Sequence, residues 1–559
     1  MTASPSSRAP ALWIIAGCLA FGFLLLMLLP PGVTVMNDDF GYLASVLDTV
    51  RHGRPWTDAW LEPWAASFST ISALVWKLTG SFLVATQGVQ AGCSAAAVAG
   101  AYLVFRQLNL SPWRSLGVAA LVLTMPVLLW KQIEFTAVAL YLPCLLWAIW
   151  AALRERWGVF FFAWFLAFAS RQSAVAWLIL PAWACVRDWH FRGTAPRAWR
   201  APAWVLVGAI PVGLLLHFGM NRSLAQAVLT MHTWERVQLP YTLRNVAFGV
   251  TVWLVAAGWG ALLQATWAPG RLLAPVAPRR ALAVLAVFTA GALLAGHYFP
   301  IFFEHDAYAG WRGRWYAGIA LAVGAAGWLL APGSIRSGFV LAGAGALVPL
   351  ALRTDTWDYY YLDVGLLALV SLHVPAADAV TGAVKLPGRL LGWAVLALAA
   401  IYHGEAAWNL KLRVDREYAI AVLTEQALRA ERLAIADISY APYGLSGWLL
   451  HHHYIEHEGR GDANVGAFTR YVRRNAARVQ FTPMRFWRDS QTLARWRDVD
   501  ESRLVADGIF RVGWIWYQRI GILQSTAGET SPADIPEPNP PVRRRILPLG
   551  DEEWRAAVR

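Results

Sequence analysis

Residues 12–42 read LWIIAGCLAFGFLLLMLLPPGVTVMNDDFGY, and this stretch decides the fold. From Leu12 to Pro30 there is no charged side chain, while Arg8 precedes the run and Asp38 and Asp39 follow it. A helix rises about 1.5 Å per residue, so an apolar run of about 20 residues crosses the hydrocarbon core of a bilayer. A cleaved signal peptide would end in small residues, and Leu29-Pro30-Pro31 offers none, so the run is expected to be an uncleaved anchor.

The same signal recurs along the chain. Apolar spans are expected at 12–30, 82–105, 115–130, 135–153, 157–170, 173–186, 201–218, 246–266, 281–299, 315–331, 337–352, 359–373 and 388–403. Composition agrees: 57% of the 559 residues are hydrophobic and 15% charged, where a soluble protein carries about 25% charged residues. Tryptophan occurs 32 times, an excess suited to membrane–water interfaces, where an amphipathic ring fits best.

A net charge of +13 would suit a nucleic-acid binder, but its placement argues for topology instead. With the N-terminus inside, the inner connections carry fifteen basic residues, from Arg8 through Arg187 and Arg192 to Arg389, against three acidic ones, Glu155, Asp188 and Asp378. The outer connections are nearly balanced. This is the positive-inside bias, and it sets the orientation. An odd number of spans, about thirteen, then places the C-terminus outside, in the periplasm of a bacterium with two membranes.

Beyond residue 403 the composition becomes that of a soluble domain, with 22 Lys and Arg and 20 Asp and Glu over 404–559. Periodicity predicts a helix over 415–432 and a short strand over Leu433–Ile438, and residues 526–541 form a Pro-rich tail. The fold expected is an all-α polytopic membrane protein, residues 1–403, followed by a small α/β or mixed soluble domain, residues 404–559. All four cysteines, Cys18, Cys93, Cys144 and Cys185, fall in expected spans, which leaves none for a disulfide framework outside. In the first outer loop, 31–81, the segments Asp38–Arg51 and Pro63–Leu78 are amphipathic, the second through Trp64, Phe68, Ile71 and Val75. Such segments lie flat on a membrane or cap the bundle.

The block Asp38-Asp39-Phe40-Gly41-Tyr42 carries the most chemistry. Paired carboxylates at a membrane surface are costly to desolvate and call for a cation, a partner or a reaction. A plainer account is a helix start, with Asn37 as cap and the acids complementing the dipole. The block resembles the opening of the GT-C glycosyltransferases, membrane enzymes that use polyprenyl-phosphate sugars. It is most similar to the branch holding the protein O-mannosyltransferases and the aminoarabinose–lipid A transferases, which carry Asp-Glu-x-x-Tyr just outside the first span. Asp39 stands here where those proteins have Glu, Gly53-Arg54-Pro55-Trp56 falls at their Gly-rich segment, and Glu62-Pro63 resembles a Glu-Lys-Pro-Pro segment without its Lys. The resemblance implies Asp38 and Asp39 as catalytic carboxylates and Tyr42 and Glu62 as substrate contacts. It also implies another cation for the donor phosphate. Arg171-Gln172, between two short outer span ends, and Asp358-Tyr359-Tyr360-Tyr361, opening a late span, extend it.

Transfer from a lipid phosphate needs positioned reactants, a neutralised leaving group and, for a hydroxyl acceptor, a base. Arginine suits phosphate through its planar fork of donors. The outer cations are Lys131, Arg171, Arg312 and Arg314, each of which would otherwise be an interfacial anchor. Glu134 is placed to pair with Lys131 or to meet substrate, and Gln172 and Tyr360 complete the expected substrate contacts. The expected partners are a polyprenyl-phosphate sugar donor, membrane lipids, and a glycan, lipid or protein acceptor, with no nucleic acid. No cofactor is implied, and a divalent cation is left open. In the tail, His453 to His457 match the His-x-x-Glu-His zinc pattern but lack a third ligand, so a surface cluster is the simpler account. Among rival classes, a transporter or flippase would place ionisable groups at mid-membrane and repeat its halves. A polymerase or ligase of another fold would not need the Asp38–Tyr42 block.

Overall fold

The computed structural model describes residues 8–29, 39–57, 66–108, 110–194, 239–265, 278–302, 311–330, 334–352, 358–373, 386–429, 480–485, 502–514 and 516–525. Helix α1 (Arg8–Leu28) is the opening apolar run as one piece. It buries Phe21 and Leu25 and exposes Leu12, Leu19, Phe23 and Leu26. An apolar face left exposed along a helix is what lipid covers.

After the first outer loop's helices α2 (Asp39–His52) and α3 (Ala66–Thr79), a π turn runs into α4 (Val89–Gln107). The single span expected over 115–130 is corrected here: α5 (Pro112–Leu123) and α6 (Pro126–Ile133) meet at a bend of 74°. Pro126 has no N–H and cannot prolong α5, but it fits the first turn of a new helix, where that donor would be unpaired anyway. Next come α7 (Val138–Leu153), α8 (Trp157–Phe168), a 3-10 segment (Gln172–Leu178) and α9 (Ile179–Val186). They are followed by α10 (Leu239–Ala265), α11 (Pro278–Phe302), α12 (Trp311–Leu330), α13 (Ser337–Ala351) and α14 (Leu362–Leu369).

Among the described residues three helices are each long and apolar enough to cross a membrane, and the bent α5–α6 pair would make a fourth. Helices such as α8, with 12 residues, and α14, with 8, are shorter than the expected spans. The expected span 201–218 lies outside the described residues. The count of about thirteen therefore stays an expectation. Close helix contacts come from small residues: a Cβ on Gly258 of α10 would meet the Gly324 carbonyl oxygen of α12 at 2.1 Å. Only glycine allows the two backbones that approach.

Contacts between connections sort by the side that the charge pattern assigns. Arg187 binds Glu155 at 2.8 Å and Asp188 at 3.0 Å, and Arg192 reaches Asp188 at 3.4 Å. Burial disfavours the Arg187 charge, but these carboxylates outweigh it and raise its pKa. Arg336 donates to the Val370 carbonyl at 2.8 Å and meets His373 at 2.8 Å, where β1 (Ser334–Ile335) pairs with β2 (Leu372–His373). These residues lie in or beside connections read as inner. At the other end, Ser67 meets Ser170, and the Asn245 side chain donates to Leu350 at 2.8 Å.

Helix α15 (Leu386–Arg429) runs unbroken through residue 403, so the change of composition there is not a helix end, and residues 415–429 of the helix expected over 415–432 are its last part. Strands β3 (Gln480–Arg485), β4 (Ser502–Val512) and β5 (Trp516–Ser525) form an antiparallel sheet in the order β3-β5-β4. The β4–β5 turn sits on α15: the Gly513 amide donates to Asp415 at 2.8 Å, and Lys411 binds both Asp415 at 2.7 Å and the Leu29 carbonyl at 3.3 Å. The Trp514 indole reaches the Met27 carbonyl at 3.3 Å, tying the hairpin to the outer end of α1. The expected strand 433–438, the tail 526–541 and the cluster His451–His457 lie outside the described residues.

Candidate functional site

The end of the bundle that the charge pattern reads as outer gathers most of the polar side chains named from sequence that lie within the described residues. Helix α2 opens at Asp39, while Asp38 and Glu62 lie outside the described residues. Rather than lying half-exposed on a surface, α2 buries the whole run from Leu43 to Leu47. Its Tyr42 is half-buried, with its ring edge toward Phe68 of α3 at 6.3 Å, and Phe68 in turn lies 4.7 Å from Phe135. Helix α3 keeps the expected amphipathic face: Phe68 is buried, Ile71 and Val75 pack on the core, and Leu74 and Leu78 are exposed.

Lys131 and Glu134, named as outer candidates, form an ion pair at the end of α6, 5% and 0% exposed. The Trp130 indole donates to the other Glu134 oxygen, and the Arg413 guanidinium of α15 lies over the Trp130 ring at 4.3 Å. A buried pair satisfied in this way is costly to break from one side, about 3–5 kcal/mol. The structure thus gives Lys131 a carboxylate partner of its own.

Arg171 sits at the turn between α8 and the 3-10 segment, half-buried. Its guanidinium lies 5.4 Å from the Tyr141 ring and 5.1 Å from the Tyr360 ring. Each such cation–aromatic contact contributes about 0.5–2 kcal/mol, more as the site is desolvated. The Tyr141 hydroxyl donates to Asp363, 2.8 Å from one carboxylate oxygen and 2.7 Å from the other. Because that proton is committed, Ser173, 2.9 Å away, donates its own to the Tyr141 oxygen. Ser170, beside Arg171, is hydrogen-bonded to Ser67 of α3, and α6 packs on the Asp358–Tyr361 turn that carries Tyr360. Helix α3 therefore links Tyr42 to the Arg171 turn, and α6 brings Lys131 and Glu134 alongside.

Gln172 opens the 3-10 segment, and Arg312 and Arg314 fall in the first turn of α12. Tyr141, Ser173 and Asp363 were not singled out from sequence. The available signal was Asp363 itself, a lone carboxylate inside an apolar span, which is costly there and so marks a function or a built partner. Among the described residues no group of three or more His, Cys, Asp or Glu is placed to hold a metal ion.

No family model matches the chain. No curated protein matches it either. Among solved structures it is similar to ArnT from Cupriavidus metallidurans in the apo state, with 14% identity over 93% of this chain and 99% of that one and a TM-score of 0.43. ArnT stands in the branch that the Asp38–Tyr42 block resembles.

Proposed function

We propose that this chain is a GT-C-type membrane glycosyltransferase. It moves a sugar from a polyprenyl-phosphate donor to an envelope glycan, lipid or protein acceptor at the periplasmic face of a bacterial inner membrane. Residues 404–559 belong on that same side. The observation that carries the reading is Arg171, held over Tyr141 and Tyr360 at the end of the bundle where α2 begins. The two ring faces orient the guanidinium, a planar group whose fork of donors suits a phosphate leaving group. Asp38 and Asp39 then supply the base for a hydroxyl acceptor, and Tyr42, Glu62, Gln172, Arg312 and Arg314 contact donor or acceptor. Lys131, engaged by Glu134, acts as part of a pair.

The deciding experiment follows sugar release from a polyprenyl-phosphate donor by the purified protein in lipid nanodiscs, with and without a metal chelator. Arg171→Ala should lose about 2–5 kcal/mol in donor use, by loss of charge pairing at normal protein level. A transporter or flippase would move the lipid-linked substrate across vesicles without transferring sugar. Unchanged donor kinetics in Arg171→Ala would return that residue to an interfacial anchor.

A further inference from the structure

Asp363 is 2% exposed, in a helix whose other residues, Leu362 to Leu369, are all apolar. Its carboxylate is held by the Tyr141 hydroxyl, 222 residues away in sequence, at 2.7 and 2.8 Å. The same tyrosine accepts a hydrogen bond from Ser173, two residues beyond Arg171. Its ring is one of the two on which the Arg171 guanidinium lies. The guanidinium is also within electrostatic reach of both Asp363 and the Tyr141 hydroxyl. Attraction to an aromatic face is soft in direction, so the ring orients a guanidinium only as well as the ring itself is held. Bonds at the hydroxyl end stop the ring from tilting, and an arginine oriented beforehand loses less freedom when an anion binds.

We infer that Asp363 is a positioning residue: through the Tyr141 hydroxyl it fixes the ring that holds Arg171, and so aims the guanidinium at a lipid-borne phosphate. The identity of the anion rests on the function proposed above; the positioning does not.

Two measurements separate these parts. The first is the rate at which phenylglyoxal modifies Arg171 in the full-length protein in nanodiscs, read by peptide mass spectrometry. Tyr141→Phe keeps the ring and removes only the hydroxyl; Asp363→Asn keeps the shape and removes the charge. Each should speed the labelling several-fold, and the double variant little further than Tyr141→Phe, because all act on one bond: Phe removes its donor, and Asn leaves only a neutral, weaker acceptor. An unchanged rate in Tyr141→Phe overturns the inference, and so does a rise confined to Asp363→Asn, which would mean that Asp363 acts by charge and not through the ring. Tyr141→Phe serves alone if Asp363→Asn does not accumulate.

The second measurement is binding of polyprenyl monophosphate by native mass spectrometry, against polyprenol and phosphatidylglycerol. Each single variant should bind the phosphate about three- to tenfold more weakly, the worth of one hydrogen bond, and should add nothing to the loss in Arg171→Ala. An equal further loss in the Arg171→Ala background would make Asp363 merely structural and overturn the inference. A wild-type protein that prefers neither polyprenyl phosphate over polyprenol nor over phosphatidylglycerol would sink the proposed donor, while the labelling rates still decide the positioning.

Discussion

Ser67 of α3 donates its hydroxyl proton to Ser170, 2.8 Å away and 103 residues along the chain. The direction follows from the next bond, since Ser170 commits its own proton to the Leu166 carbonyl at 2.8 Å. Two hydrogen bonds in series thus fasten the first outer loop to the turn that carries Arg171. The loop holds Tyr42 by the same helix, through the ring of Phe68.

Removing either hydroxyl should therefore cost about 1 kcal/mol of stability. Thermal unfolding of purified Ser67→Ala and Ser170→Ala in detergent measures it. Because both substitutions break the shared bond, the double variant should fall short of the sum of the singles. Strict additivity would mean that the two serines do not act together.

Arg171 could be found in the sequence because it stands alone between two apolar runs, where a charge has no packing reason to be. Asp363 stands inside the apolar run 359–373, where a carboxylate calls for a partner, but nothing local reveals that the partner is Tyr141, 222 residues away. The break between α5 and α6 had a visible cause in Pro126, but the apolar run on both sides of it hid the bend. The change at residue 403 is real in composition, yet the structure carries α15 straight through it. Hydropathy reports solvent, not where a helix stops. The pairing of Lys131 with Glu134 was open to a three-residue spacing rule, whereas their joint burial depends on α15 and Trp130, which no local pattern shows.

The hairpin's attachment should depend on pH. Burial raises the Asp415 carboxyl above its ordinary pKa, with Lys411, the Gly513 amide and Arg511 pulling the other way. A group whose pKa is higher in the docked state holds its proton there more tightly than in the undocked chain. Docking is then firmest below the ordinary carboxylate range and weakens as pH climbs from that range through the raised value. Hydrogen exchange of the strand residues 502–525, followed by mass spectrometry across a pH series and corrected for the intrinsic pH dependence of exchange, measures the docking. Asp415→Asn should flatten the curve. Docking that tightens as pH rises through this window would reverse the sign and defeat the account.

Topology can be tested directly. The fifteen-to-three excess of basic residues in the connections read as inner, and the contact of Lys411 with Leu29, are the grounds on which we propose that α15 beyond residue 403 lies on the outer side. A reporter that works only in the periplasm, fused after residue 420, should be active. Activity of a cytoplasm-only reporter at that site would overturn both the orientation and the placement of residues 404–559.

Asp38 and Asp39 are adjacent, yet they need not share a role. Asp39 is the first residue of α2, and Tyr42 stands three residues further on, half-buried against Phe68. Successive residues on a helix point about 100° apart and residues four apart share a face, so the spacing in the sequence is the ground for proposing different roles for the two carboxylates, with Asp38 the one paired with Tyr42. If Asp38 is the general base for a hydroxyl acceptor, Asp38→Asn keeps the shape and removes the proton acceptor. Turnover should then drop by a factor on the order of 10²–10⁴. Asp39→Asn should cost less and act mostly on donor binding. A phosphate acceptor needs no base, so a mild effect of Asp38→Asn together with a strong effect of Arg171→Ala would point to that acceptor class. The measurement is single-turnover transfer from a purified polyprenyl-phosphate donor, with protein level and melting temperature checked for each variant. Near-wild-type turnover in both aspartate variants would leave the pair as a helix cap and remove the catalytic role assigned to it.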